Sequence, residues 1–80
     1  FKIYPNPSDG MFNLEFTSDI KQNLNIRVVN MIGEFTLIDN LEQFLGKYAQ
    51  SIDLTTKSSG VYFLEITTKE VIVRRMLVIN

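Results

Sequence analysis

Hydrophobic side chains in this chain recur at every second position, and that period limits what it can become. In "MFNLEF", Phe12, Leu14 and Phe16 alternate with Asn13 and Glu15; in "LNIRV", Leu24, Ile26 and Val28 alternate with Asn25 and Arg27. Successive side chains of an extended strand point to opposite faces, so such segments have one dry face and one wet face. "YFLEIT" sets Tyr62, Leu64 and Ile66 against Phe63, Glu65 and Thr67, and "VIVRRMLVI" near the end is rich in β-branched residues. Turn-forming stretches separate these runs at Pro5–Gly10, Ser18–Asn23, Met31–Gly33, Asn40–Gly46 and Thr55–Gly60, with a tight turn near Lys69. A spacing of roughly 8–12 residues between turns is the rhythm of a β-sandwich. Seven strands are expected, at 1–4, 11–17, 24–30, 34–39, 47–54, 61–68 and 71–79, in an all-β, antiparallel, immunoglobulin-like β-sandwich. "NLEQFLG" has too little periodic length to nucleate a helix.

Composition narrows the function classes. At 80 residues the chain is expected to be one domain, near the size at which a hydrophobic core alone sustains a fold. A net charge of −1, with eight basic residues spread along the chain, argues against a nucleic-acid partner. No apolar run approaches the ~20 residues of a membrane-spanning helix, so no transmembrane segment is expected. Cysteine and histidine are both absent, which removes thiol nucleophiles, Ser-His-Asp catalysis and the common zinc sites. An enzyme is therefore not expected, nor a cofactor. Asn6, Ser8 and Asp9 supply too few oxygens for calcium, and Glu34, Asp39 and Glu42 are read as solvated acids rather than metal ligands.

The stretch "YPNPSDG" is an elaborate bend for so small a domain. Pro5 and Pro7 lack amide donors and hold the preceding residues extended, which keeps Asn6 extended. Ser8-Asp9-Gly10 then supplies turn chemistry, with Gly10 free to take positive φ. The expected result is a rigid crossing that carries the chain from one sheet to the other. In "IDLTTKSSGVYFLEI", Gly60 and Tyr62 follow a polar loop in the manner of a tyrosine corner. Tyr62 is expected to be largely buried, with its hydroxyl bonded toward residues 55–58. Gly33 belongs to a hairpin turn in "NMIGEF". Arg74 and Arg75 interrupt a strongly β-forming segment and can act as guards against aggregation.

Five landmarks occur in order: "YPNPSDGMFNLEF", "NMIGEF", "GKYAQSIDL", "SSGVYFLEITT" and "RRMLVIN". Together they resemble the C-terminal sorting domain of proteins exported by the type IX secretion system of certain Gram-negative bacteria. The similarity spans essentially the whole chain. Asp9 stands where such domains often have asparagine, and the Thr68-Lys69-Glu70 turn lacks a glycine frequent there. The resemblance implies a folded export signal attached covalently to an N-terminal cargo domain. The cargo reaches the periplasm, an outer-membrane translocon reads the signal, and the product arrives at the cell surface or is secreted. A surface sortase commonly cuts the domain away, here N-terminal to Phe1, and joins the cargo to lipopolysaccharide or lets it go free. By the same resemblance Pro5, Asn6, Pro7, Gly10, Gly33, Gly60, Tyr62, Arg74 and Arg75 occupy motif positions, with the main recognition burden in residues 60–80.

Two other classes fit an all-β domain. A carbohydrate- or protein-binding module would show exposed aromatic rings side by side, and Phe1, Phe44 and Phe63 are the expected outward ones. A strand-donating subunit would leave its last segment unpaired and a hydrophobic groove open.

Overall fold

The computed structural model describes residues 1–80 and is built of strands and turns, with no helix. It contains five strands: β1 (Lys2–Tyr4), β2 (Met11–Val29), β3 (Phe35–Asp53), β4 (Gly60–Thr68) and β5 (Ile72–Ile79). Every strand pair is antiparallel. The expected all-β antiparallel character is present, but five strands stand where seven were expected.

The difference has a physical cause. The expected breaks at 18–23 and 40–46 do not end strands; they bend them. β2 and β3 form one long hairpin whose register shifts between Ser18 and Gln22, between Gln22 and Leu24, and between Ile26 and Arg27. On β3, the bend is taken by Gln43 (φ 51°) and Gly46 (φ 106°), whose backbones enter the positive-φ region. Such bulges increase local twist and re-aim a strand without releasing its partner. Polar composition in these stretches signals a bend correctly and a termination wrongly.

The bent hairpin joins two halves of one core. The first half of β2 lies between β1 and the end of β3; its second half lies between β4 and the start of β3, with β5 beyond β4. Ile3, Phe12, Leu14, Ile52 and Leu54 from the first part meet Leu24, Ile26, Val28, Leu64, Ile66, Leu77 and Ile79 from the second in a single buried cluster. These are the inward positions of the period-two pattern. Burying each large aliphatic side chain contributes about 1.5–3 kcal/mol toward offsetting chain entropy.

β5 is paired along its whole length with β4, from Gly60↔Ile79 to Thr67↔Ile72, and Leu77 and Ile79 enter the core. The last strand thus completes its own chain's core, contrary to the strand-donor expectation. Its entry turn lacks glycine because Thr68 closes it. The Thr68 amide donates to the Val71 carbonyl at 2.8 Å, and the Thr68 hydroxyl accepts from the amides of Glu70 and Val71.

Candidate functional site

The opening bend ties the two ends of the domain together. After β1 pairs with β2, residues 6–8 cross to the free side of β5. Asn6 lies in a bend there, and its carboxamide takes the place of a strand's main-chain groups: Oδ1 accepts from the Val78 amide at 3.0 Å and Nδ2 donates to the Met76 carbonyl at 2.8 Å. Ser8 continues with backbone groups. Its amide donates to the Val78 carbonyl at 3.0 Å and its carbonyl accepts from the Asn80 amide at 2.8 Å, forming a parallel bridge to Ile79. The Ser8 hydroxyl, buried, donates to the Met11 carbonyl and accepts from Gly10, so every polar group of this residue is satisfied. Pro5 and Pro7 flank Asn6 on the exposed side. A crossing is present, but it runs from the β1 edge to the outer edge of β5 within one sheet, not from one sheet to another as expected.

Gly10 is buried with φ 124°, and a Cβ there would stand 2.9 Å from the Thr55 Cα. Its carbonyl accepts from the Leu54 amide at 2.7 Å. Gly10 thus lets the exit of the bend press against the end of β3.

Gly33 lies in the β2–β3 turn that Asn30 closes, its amide donating to the Asn30 carbonyl at 3.1 Å, and Gly60 lines a groove with Asn30–Ile32 of the same turn. The Asn30 Oδ1 accepts from the amides of Ile32 and Glu34, and its Nδ2 donates to the Glu34 carboxylate at 2.8 Å. Met31 and Ile32 are left exposed at the tip, beside Ser59–Tyr62. The Tyr62 hydroxyl donates to the Ser58 carbonyl at 2.7 Å, within the expected range. Its ring is half-buried rather than largely buried, packed on the edge of the core at the opening toward Asn30 and Lys57.

Arg74 and Arg75 do not form one site, because neighbouring residues of a strand face opposite ways. Arg74 lies on the outer face, where its Nε donates to Glu65 Oε2 at 2.8 Å and its Nη2 joins the same oxygen. Arg27 donates from the other side to Oε1 at 2.8 Å. Glu65 is 1% exposed, so a buried carboxylate is held between two arginines across three adjacent strands. Burial pushes this carboxyl up, but the hydrogen bonds from Arg27 and then Arg74 outweigh it and hold it below the usual glutamate range. The guanidinium carbons of Arg27 and Arg74 also lie 4.9 Å and 5.5 Å from the ring centres of Phe35 and Phe63. Arg75 faces the inner side and covers Phe1 at 4.4 Å.

The sequence reading missed the Glu65 centre; the available signal was a lone acid flanked by apolar residues on a strand whose neighbours carry arginines. Of the three aromatics expected to face outward, Phe63 lies half-buried on the outer face under Arg74, and the other two were misplaced. Phe1 and Phe44 pack against the core, whereas Phe35 and Tyr4 are 61% and 43% exposed. Phe44 belongs to a cluster with Phe16 and Tyr48, the latter two stacked at 4.8 Å. Of the acids read as solvated, Glu34 serves the Asn30 turn, and Asp39 accepts from the Tyr48 hydroxyl at 3.0 Å.

The antiparallel sheet, the crossing bend and the clasped final strand place all five sequence landmarks in one folded unit. The model of the secretion system C-terminal sorting domain family matches residues 2–80, and the chain belongs to that family. Its class is that of a sorting signal for type IX secretion. No curated protein matches the chain.

Proposed function

We propose that this domain is a non-catalytic, folded passport, an immunoglobulin-like sandwich that directs an N-terminally attached cargo through the periplasm and across the outer membrane by the type IX translocon. At the surface a sortase then removes it from the cargo. Family membership supports the sorting role, and one structural observation supports reading the signal as a shape. The C-terminal strand, residues 76–80, is hydrogen-bonded to residues 6–8 at the other end of the chain. A translocon that reads residues 60–80 therefore meets them in place only when the whole domain has closed. Pro5, Asn6, Pro7 and Gly10 act by holding β5, Gly33, Gly60 and Tyr62 by shaping the end of the molecule, and Arg74 and Arg75 by fixing the two faces of β5. The exposed outer surface of β5, with Ile72 and Met76 beside Arg74, is the part available to a reader.

Fusing residues 1–80 to a fluorescent periplasmic reporter tests this. Surface or medium location is expected in cells with an intact type IX system and periplasmic retention in cells without it. Retention in both would refute the proposal.

A further inference from the structure

β2 uses the edge facing away from β3 twice and leaves it open between. Glu15 is the last residue there paired with β1, and Leu24 is the first paired with β4, while β3 stays alongside on the opposite edge. Along residues 16–18 no strand is paired on that edge; Thr17 is exposed there, Phe16 half-buried, and Ser18 buried where the bend begins. Beyond them the bend is held by its own bonds. The Ser18 hydroxyl donates to the Ile20 carbonyl at 2.7 Å and accepts from the Gln22 carboxamide at 2.9 Å.

The register of β1 points along this opening. Lys2 lies opposite Glu15, so continuing the ladder places Phe1 opposite Phe16, the preceding residue opposite Thr17 and the one before it opposite Ser18. Phe1 is fixed by its packing on the core and by the Arg75 guanidinium over its ring. The incoming chain is thereby aimed along β2. A groove of ≈ 510 Å³ lies on this path, lined by Phe1, Lys2, Glu15, Phe16, Thr17 and Lys47.

We infer that the two residues immediately upstream of Phe1 extend β1 and pair with Thr17 and Ser18 of β2, docking the cargo's connecting segment onto the sorting domain. The inference rests on the proposed reading that a cargo precedes Phe1. Main-chain pairing makes the docking tolerant of sequence. The exposed Lys2 and Lys47 beside the groove favour a polar or acidic side chain directly before Phe1. The connecting segment then leaves the domain in a fixed direction from the far side of Ser18.

Amide hydrogen exchange tests it on three samples: the complete cargo-bearing protein, residues 1–80 alone, and the complete protein with two prolines directly before Phe1. Proline cannot donate to a ladder. Within Phe16–Ser18, the amides facing the open edge are expected to exchange on the order of tenfold more slowly in the complete protein than in the other two. Unchanged protection at Ile26 and Leu64 reports an intact core in all three. Equal exchange at Phe16–Ser18 across the samples would overturn the inference. Export of the same proteins separates it from the sorting role: a protected edge without export contradicts only the sorting role, and export with an unprotected edge contradicts only the docking.

Discussion

Asn6 and Val78 lie 72 residues apart in the chain and are joined by a 3.0 Å hydrogen bond from the Val78 amide to the Asn6 carboxamide oxygen. With the companion bond to Met76, one side chain substitutes for a strand on the outer edge of β5. It leaves that edge covered only from Met76 onward.

Asn6→Ala removes both bonds. The expected loss is about 1–3 kcal/mol in unfolding free energy, corresponding to roughly 4–8 °C in Tm per kcal/mol for a domain this size. Asn6→Asp keeps the acceptor but sets a carboxylate oxygen against the Met76 carbonyl in place of the donor, so its midpoint in a urea titration at neutral pH should also fall below that of wild type.

The Glu65 centre gives an acid dependence with a defined sign. Its folded-state pKa is held below the unfolded value of about 4.3, so the stabilisation is complete above that pH and is lost as pH falls through the folded value. Glu65→Gln should cost about 1.5–3 kcal/mol at neutral pH, since bonds to a charged group are replaced by neutral ones. The gap between wild type and Glu65→Gln, measured by urea unfolding, should stay constant down to about pH 5 and narrow below about 4.

At the alkaline end, burial and then the hydrogen bond to Asp39 push the Tyr48 phenol up to about 12. A folded-state value above the unfolded value of about 10 means the contribution is present below pH 10 and disappears as pH rises toward 12. Tyr48→Phe should cost about 1 kcal/mol at neutral pH. Its stability difference from wild type should shrink across that alkaline interval, with the wild-type phenol followed by ultraviolet absorbance.

Two glycines should respond differently to the same change. Gly10→Ala forces a Cβ against the Thr55 backbone at φ 124° and is expected to cost roughly 2–3 kcal/mol. Gly33→Ala has open space around it at φ 87°, so only the backbone preference is lost, about 1 kcal/mol. Thermal unfolding of the two variants should rank them in that order.

The sequence made the strand faces legible because a buried face enforces strict alternation, and Leu14, Ile26 and Leu64 all lie where the period puts them. Strand ends were less legible. Ser18–Asn23 and Asn40–Gly46 have turn composition, yet a bulge uses the same residues as a turn and only the partner strand decides between them. The Tyr62 hydroxyl bond follows from local spacing and was readable. The Asn6 clasp and the Glu65 centre were not, because each depends on residues brought together by strand order rather than by chain proximity. Tyr62 is less buried than expected because the Asn30–Glu34 turn and the 56–58 loop leave a polar opening above it.

The most direct test of a sorting signal that depends on its clasped last strand compares reporter fusions ending at residue 80 and at residue 70 in cells with a working type IX system. Removal of 71–80 takes away β5 together with the partners of Asn6 and Ser8. The fusion ending at 80 should reach the surface or medium and the shorter one should remain in the periplasm. Equal surface delivery of both would contradict the account.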